Sequence, residues 1–277
     1  MDSKKPWEAE TRPSENFLLR TLRDIRASGR MALCGYFLVG YPSPEDFYRM
    51  VRAARGLDVI EFGIPAENPA LDGPVISSAH EVVTRQRGIR AETAMALIGG
   101  LRHIPQPRFV MTYTEVGRAL SGFLRLCVEN DIHGMIAPDI EPEEGRYVRT
   151  IAEALNLAVL TLLDARADDE TVRQRTELGD IVYLKAAPGR TGQPADVEGE
   201  LGTVLAEAVR RIRAVTPHMP IAVGIGLQRP EQVAALARLD VDMAIVGTKI
   251  VEHLQSGEQA LVEYIEAMRQ ATVYPKG

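Results

Sequence analysis

The sequence predicts an α/β protein built as a (β/α)8 barrel, the TIM-barrel class. Three observations carry that prediction. Short apolar runs of the kind shown by strands buried on both faces recur eight times along the chain, and a helical pattern follows each of them. No Pro/Gly/Ser-rich linker divides the 277 residues, a length that a single barrel fills. The rival, an open doubly wound sheet, requires Gly-x-Gly-x-x-Gly after the first strand, and Gly35…Gly40 does not supply it.

Residues 1–13 are polar and Pro-containing and read as a tail, which leaves 14–277 as a single barrel domain. Ser14 can cap a helix whose apolar positions Phe17, Leu18, Leu22 and Ile25 recur at helical spacing and which ends near Gly29. The run from Met31 to Gly40 is apolar throughout and forms the first strand. Ser43-Pro44-Glu45-Asp46 combines a cap, a proline at the first helical position and an acidic first turn, and opens a helix running to about Gly56. The remaining strands are expected at 58–64, 108–113, 134–138, 158–163, 180–186, 220–224 and 243–247. Helices are expected at about 76–86, 91–102, 119–130, 142–155, 168–177, 201–215, 229–238 and 248–255.

Composition narrows the function classes. A formal charge of -6 and a pI near 5.5 argue against a nucleic-acid-binding surface. Cys34 and Cys127 each lie in an apolar segment outside any Cys-x-x-Cys or Cys/His cluster, so they read as small core residues of a reduced compartment. The N-terminus lacks an apolar h-region and no run of 18 apolar residues occurs, so the expected location is the cytoplasm, with no membrane contact.

Barrel active sites lie at the C-terminal ends of the strands. Glu61 falls near the end of the second strand and Asp72 in the loop behind it, within Val59-Ile60-Glu61-Phe62-Gly63-Ile64-Pro65 and Leu71-Asp72-Gly73-Pro74. A carboxylate buried in a strand loses its water and is costly unless paired or at work. Asp72 alone would read as turn chemistry; beside Glu61 on the productive face it becomes half of a candidate acid/base pair. Strand seven ends in Val223-Gly224-Ile225-Gly226-Leu227 and strand eight in Val246-Gly247-Thr248 just before a helix. Exposed backbone N–H groups and a helix dipole at these two loops favour an anion, which points to a phosphate. Pro188-Gly189-Arg190-Thr191-Gly192-Gln193-Pro194 has the composition of a lid or of a plain surface loop.

With these features the sequence resembles the α subunit of tryptophan synthase and its relatives, the indole-3-glycerol-phosphate lyases. The likeness runs from about residue 15 to 255. It is carried by the two acidic motifs above together with Val110-Met111-Thr112-Tyr113, Pro138-Asp139, Val182-Tyr183…Thr191-Gly192, Gly224-Ile225-Gly226 and Ile245-Val246-Gly247, in that order. The resemblance implies a retro-aldol cleavage of indole-3-glycerol phosphate to indole and glyceraldehyde 3-phosphate, with no cofactor and no metal. It implies that Glu61 is the acid/base and that Asp72 holds the indole N–H. It further implies Tyr36 against the indole, Tyr113 and Tyr183 at the pocket, Thr191 in the lid, and Gly192, Gly226, Gly247 and Thr248 on the phosphate.

The sequence departs from the family in three places. After Gly63-Ile64-Pro65 the family usually has an aromatic and Ser-Asp-Pro, and here Ala66-Glu67-Asn68-Pro69 stands. After Tyr113 the family often has Asn-Pro, and here the chain reads Thr114-Glu115-Val116. Both segments face the β-type subunit in the family, so the resemblance implies that partner while the departures argue for a stand-alone enzyme. Third, Lys185 stands two residues after Tyr183, where the family has a small or apolar residue, and the period of two sends both side chains to one face. An interior lysine there can form an imine with a carbonyl substrate, which makes an aldolase acting on another phosphorylated compound the alternative. A lysine paired with an acid or phosphate, or one reaching to the rim, is the plain reading. A barrel that only binds is the remaining class, and retention of both Glu61 and Asp72 speaks against it.

Overall fold

A computed structural model describes residues 15–119, 122–185, 197, 199–224 and 226–275. Eight parallel strands close into a barrel in chain order: β1 (Ala32–Leu38), β2 (Val59–Gly63), β3 (Arg108–Met111), β4 (Gly134–Ile136), β5 (Ala158–Asp164), β6 (Ile181–Lys185), β7 (Ile221–Gly224) and β8 (Met243–Val246). β1 also pairs with β8, with Cys34 opposite Ile245, so no strand edge is left open. This is the (β/α)8 TIM barrel that the alternation predicted.

Two apolar clusters divide the work of holding it. One fills the barrel interior, where Cys34, Val59, Phe109, Ile136, Leu160 and Ile181 meet. The other lies between the strands and the surrounding helices and includes Phe37, Phe47, Phe62, Leu184 and Val223. Strands buried on both faces explain why each reads as a continuous apolar run. Helix α1 (Phe17–Ala27) closes the N-terminal mouth by sending Leu18 and Leu22 into the interior cluster. The helix is capped by Asn16, whose Oδ1 accepts from the Leu18 and Leu19 N–H groups at 2.9 and 3.3 Å. The cap expected at Ser14 therefore belongs to Asn16; Ser14 lies outside the described residues.

The crossovers are α2 (Pro44–Ala53), α3 (Pro74–Glu81) with a π-helical turn at Val82–Gln86, α4 (Ala91–Gly99), α5 (Thr114–Ala119), α6 (Phe123–Glu129), α7 (Pro142–Ala154), α8 (Asp169–Thr176), α9 (Glu200–Val215), α10 (Pro230–Ala237), α11 (Thr248–Ser256) and α12 (Glu258–Gln270). Three differ from expectation. The helix expected at 119–130 is α6 alone, which starts late because Gly122 before it has φ 71°, a left-handed conformation outside a right-handed helix, and α5 ahead of it was not expected. The helix expected from about 76 begins at Pro74, because Gly73 is extended and proline suits the first helical turn. Helix α12 was not anticipated, although Leu261, Ile265 and Met268 recur on one face and are buried. Among the described residues, no helix is long and apolar enough to cross a membrane. Both cysteines are free and buried.

Candidate active site

Register places the first acid. Glu61 lies opposite Tyr36 on the neighbouring strand and opposite Phe109 on the other side, so its side chain shares their inward face near the C-terminal mouth. It is 3% exposed and lines a cavity of about 790 Å³, open mouth included, whose walls carry Asp72, Tyr183, Lys185 and Thr248 as well. Burial, aided by the negative charge of Asp72, pushes the Glu61 carboxyl up to about 8. At neutral pH it carries its proton.

Asp72 sits at the end of a turn in which its N–H donates to the Pro69 carbonyl at 3.1 Å. It is as buried as Glu61 but better supplied with polar partners. Tyr113 donates its hydroxyl to Asp72 Oδ2 at 2.9 Å, and the same hydroxyl accepts the Leu71 N–H at 3.2 Å, which fixes its direction. Burial raises the Asp72 carboxyl and the Tyr113 hydroxyl opposes it, so the group settles at about 6. Two carboxyls in one cavity are thereby given different protonation states at neutral pH, the arrangement expected of an acid working beside a fixed anion.

Behind Asp72 stands His80 of α3, 1% exposed. Its Nδ1 accepts the Ala66 N–H at 3.0 Å, which leaves the proton on Nε2; that nitrogen lies 3.6 Å from Asp72 Oδ2 and 3.5 Å from the Tyr36 hydroxyl. Burial lowers the imidazole to about 4, so it is neutral.

Glycines make room for the two inward tyrosines. A Cβ on Gly63 would meet the Tyr36 hydroxyl oxygen at 2.1 Å, and one on Gly224 would meet that of Tyr183 at 2.3 Å. Each phenol thus lies across the glycine that ends the next strand. On the β7–β8 side, Gly226 has φ +88° and Gly247, next to Tyr36, is the N-cap of α11, with no side-chain cap and no acid in the first turn. Gly226, Gly247 and Thr248 all line the cavity, so a helix N-terminus opens into it. The turn at Gly226 is held from behind by Gln232, whose Oε1 accepts the Gln228 and Arg229 N–H groups at 2.7 and 2.9 Å and whose Nε2 donates to the Gly226 carbonyl at 3.2 Å.

Of the residues singled out in the sequence, the structure gathers Tyr36, Glu61, Asp72, Tyr183, Lys185, Gly226, Gly247 and Thr248 around one cavity. Tyr113 stands one layer back, bonded to Asp72. Thr191 and Gly192 lie outside the described residues. Tyr183 and Lys185 share the inward face as the period of two requires. The sequence reading overlooked His80 and Gln232, and it quoted Gly63 and Gly224 in motifs without seeing that they make room for Tyr36 and Tyr183. For His80 a signal existed: Ile76, Ala79, His80 and Val83 are buried along one helical face. Among the described residues, no His/Cys/Asp/Glu cluster could hold a metal ion.

Comparison with known proteins agrees with this geometry. The family described as "Tryptophan synthase alpha chain" matches residues 22–274. The tryptophan synthase alpha chain of Thermosynechococcus vestitus is 32% identical over 263 residues, covering 90% of this chain and 95% of its own. That of Halorhodospira halophila is 33% identical, covering 91% and 92%. A solved structure of Mycobacterium tuberculosis tryptophan synthase superposes with a TM-score of 0.85 at 27% identity, over 94% of this chain and 99% of that one. Members of this family are lyases that cleave indole-3-glycerol phosphate. The chain belongs to the tryptophan synthase alpha chain family and is a carbon–carbon lyase of that type.

Proposed function

We propose that the protein cleaves indole-3-glycerol phosphate to indole and glyceraldehyde 3-phosphate without a cofactor, through Glu61 and Asp72. The observation that carries this reading is the split between the two buried carboxyls, one protonated and one ionised at neutral pH, in a cavity into which a helix N-terminus opens. The phosphate occupies the corner formed by Gly226, Gly247 and Thr248. Glu61 gives its proton to ring carbon C3, and the ionised Asp72 stabilises the positive charge that develops at the ring N–H. The resulting Glu61 carboxylate takes the proton of the glycerol hydroxyl next to the ring. The carbonyl forms as the carbon–carbon bond breaks, the bond's electrons return to the ring, and Glu61 regains its proton. Tyr36 and Tyr183 hold the ring between them.

We place this reaction in the cytoplasm and read the chain as acting without a β-type subunit. The Thr114 N–H and hydroxyl are already bonded to Asp139, and Glu67 pairs with Arg90 at the surface. Both segments are the ones that depart from the family. Indole release by the purified protein tests the reading, with and without an added β subunit: full activity alone, abolished in Glu61→Gln, is the expected result.

Lys185 favours a second reading. Its side chain lines the same cavity as both acids. In an aldolase acting on a phosphorylated carbonyl compound, its amine would add to the carbonyl and water would leave, forming an imine. Borohydride with candidate phosphorylated aldehydes or ketones would then fix a mass adduct on Lys185; its absence removes this reading.

A further inference from the structure

His80 forms the partition between two spaces. On one side is the reaction cavity with Asp72 and Tyr36; on the other is an outer groove lined by Glu67, Asn68, Ser77, Glu81 and Arg85, which reaches the same imidazole. A histidine in such a wall is usually filler, yet every polar feature of this ring is directed. Its Nδ1 is occupied by the Ala66 N–H at 3.0 Å, so only Nε2 can carry the proton, and that nitrogen lies 3.5 Å from the Tyr36 hydroxyl and 3.6 Å from Asp72 Oδ2. The helix backbone holding it is pinned by the Thr84 hydroxyl, which donates to the His80 carbonyl at 2.7 Å.

We infer that His80 is a positioning residue for Asp72. The Ala66 N–H locks the ring as the Nε2–H tautomer, and that N–H dipole, 3.6 Å from Asp72 Oδ2, favours the ionised carboxylate while bonding the Tyr36 hydroxyl. The inference rests on the reading that Asp72 accepts a ring N–H of the substrate. A neutral N–H dipole near a buried carboxylate favours its charged form. Tyr113 supplies the direct hydrogen bond at 2.9 Å, and His80 adds a neutral N–H dipole 3.6 Å from Asp72 Oδ2, outside direct hydrogen-bond range. The other titratable groups facing Asp72 are Glu61 of β2, Tyr36 of β1 and Tyr183 of β6. At neutral pH Glu61 is protonated and both phenols are neutral, so none of them places a charge beside Asp72. On the groove side Glu81 pairs with Arg85 and Glu67 with Arg90, which leaves the imidazole without a charged partner there among the described residues.

Two substitutions separate the halves of this device. His80→Asn keeps an acceptor for the Ala66 N–H and removes the donor toward Asp72; His80→Gln keeps a donor at the Nε2 position. The first readout needs no substrate: nitrogen-15 histidine NMR of the wild type should show His80 neutral, protonated on Nε2 and not on Nδ1, throughout the neutral range. A ring protonated on Nδ1, or one charged at neutral pH, overturns the inference. The second readout is carbon-13 NMR titration of the Asp72 carboxyl, which should move up in His80→Asn and stay near the wild-type value in His80→Gln. The third is the pH profile of indole release: the acid limb should move up in His80→Asn, with kcat/KM falling about tenfold at neutral pH, and recover in His80→Gln. An unmoved Asp72 titration in His80→Asn also overturns it. Should the wild type release no indole, the functional reading fails while the two NMR readouts still decide the role of His80.

Discussion

The Tyr36 phenol lies over Gly63 so closely that a Cβ there would sit 2.1 Å from the hydroxyl oxygen and 2.5 Å from Cζ. No rotation of a methyl group relieves such a contact, because the clash is with the ring as well as its hydroxyl. Gly63→Ala is therefore expected to displace Tyr36, at about 1–3 kcal/mol of stability, and to lower activity with it. In a Tyr36→Ala background the same substitution should cost much less. Chemical denaturation of the four proteins of this cycle measures the coupling; additive effects would show that the ring does not occupy that space.

Tyr113 acts on Asp72 through one hydrogen bond at 2.9 Å. Tyr113→Phe removes the donor, so burial raises the carboxyl further. The acid limb of the indole-release profile, expected near the Asp72 value of about 6, should then move upward. Activity at neutral pH falls while the alkaline limb set by Glu61 near 8 stays in place, a pattern that a merely unfolded fraction would not produce.

Burying Glu61 also has a signature in stability. Its folded value, about 8, lies above its ordinary value of 4.5, so the native state binds its proton more tightly than the unfolded chain does. The sign follows: this contribution is fully present below the unfolded value and is lost as pH rises through about 8. Glu61→Gln cannot ionise and should escape that loss. Its melting temperature relative to wild type is expected to rise on going from acid to alkaline pH, by about 2–4 °C for each kcal/mol involved. Calorimetry at the two extremes checks the direction.

Lys185 contributes neither the proton nor the anion in the proposed reaction. Lys185→Met should keep most of the indole release and retain the pH profile. Loss of all activity, together with borohydride trapping on Lys185 in the wild type, would move the protein to the imine chemistry of the second reading.

The strands were legible because each is buried on both faces, and the two acids were legible because a carboxylate in such a run is chemically conspicuous. The site's second layer was not. His80 sits eight residues after Asp72 on a helix, and its meaning depends on the Ala66 N–H and Tyr36 hydroxyl, which the fold brings to it from two other segments. Gly63 and Gly224 looked like strand-end turn residues, since a glycine's value as empty space appears only once the Tyr36 and Tyr183 rings are placed. The late start of α6 was masked by apolar spacing that runs across Gly122, where a positive φ decides the matter. The readings at Thr191 and Gly192 fall outside the described residues.

The central claim is that two buried carboxyls in different protonation states cleave the substrate. The most direct measurement is indole release by the purified chain alone, across the pH range, for wild type, Glu61→Gln and Asp72→Asn. The account predicts a bell with limbs near 6 and 8 for the wild type. It predicts losses of ~10²–10⁴-fold for Glu61→Gln and ~10²–10³-fold for Asp72→Asn. Indole release that persists undiminished in Glu61→Gln would contradict it.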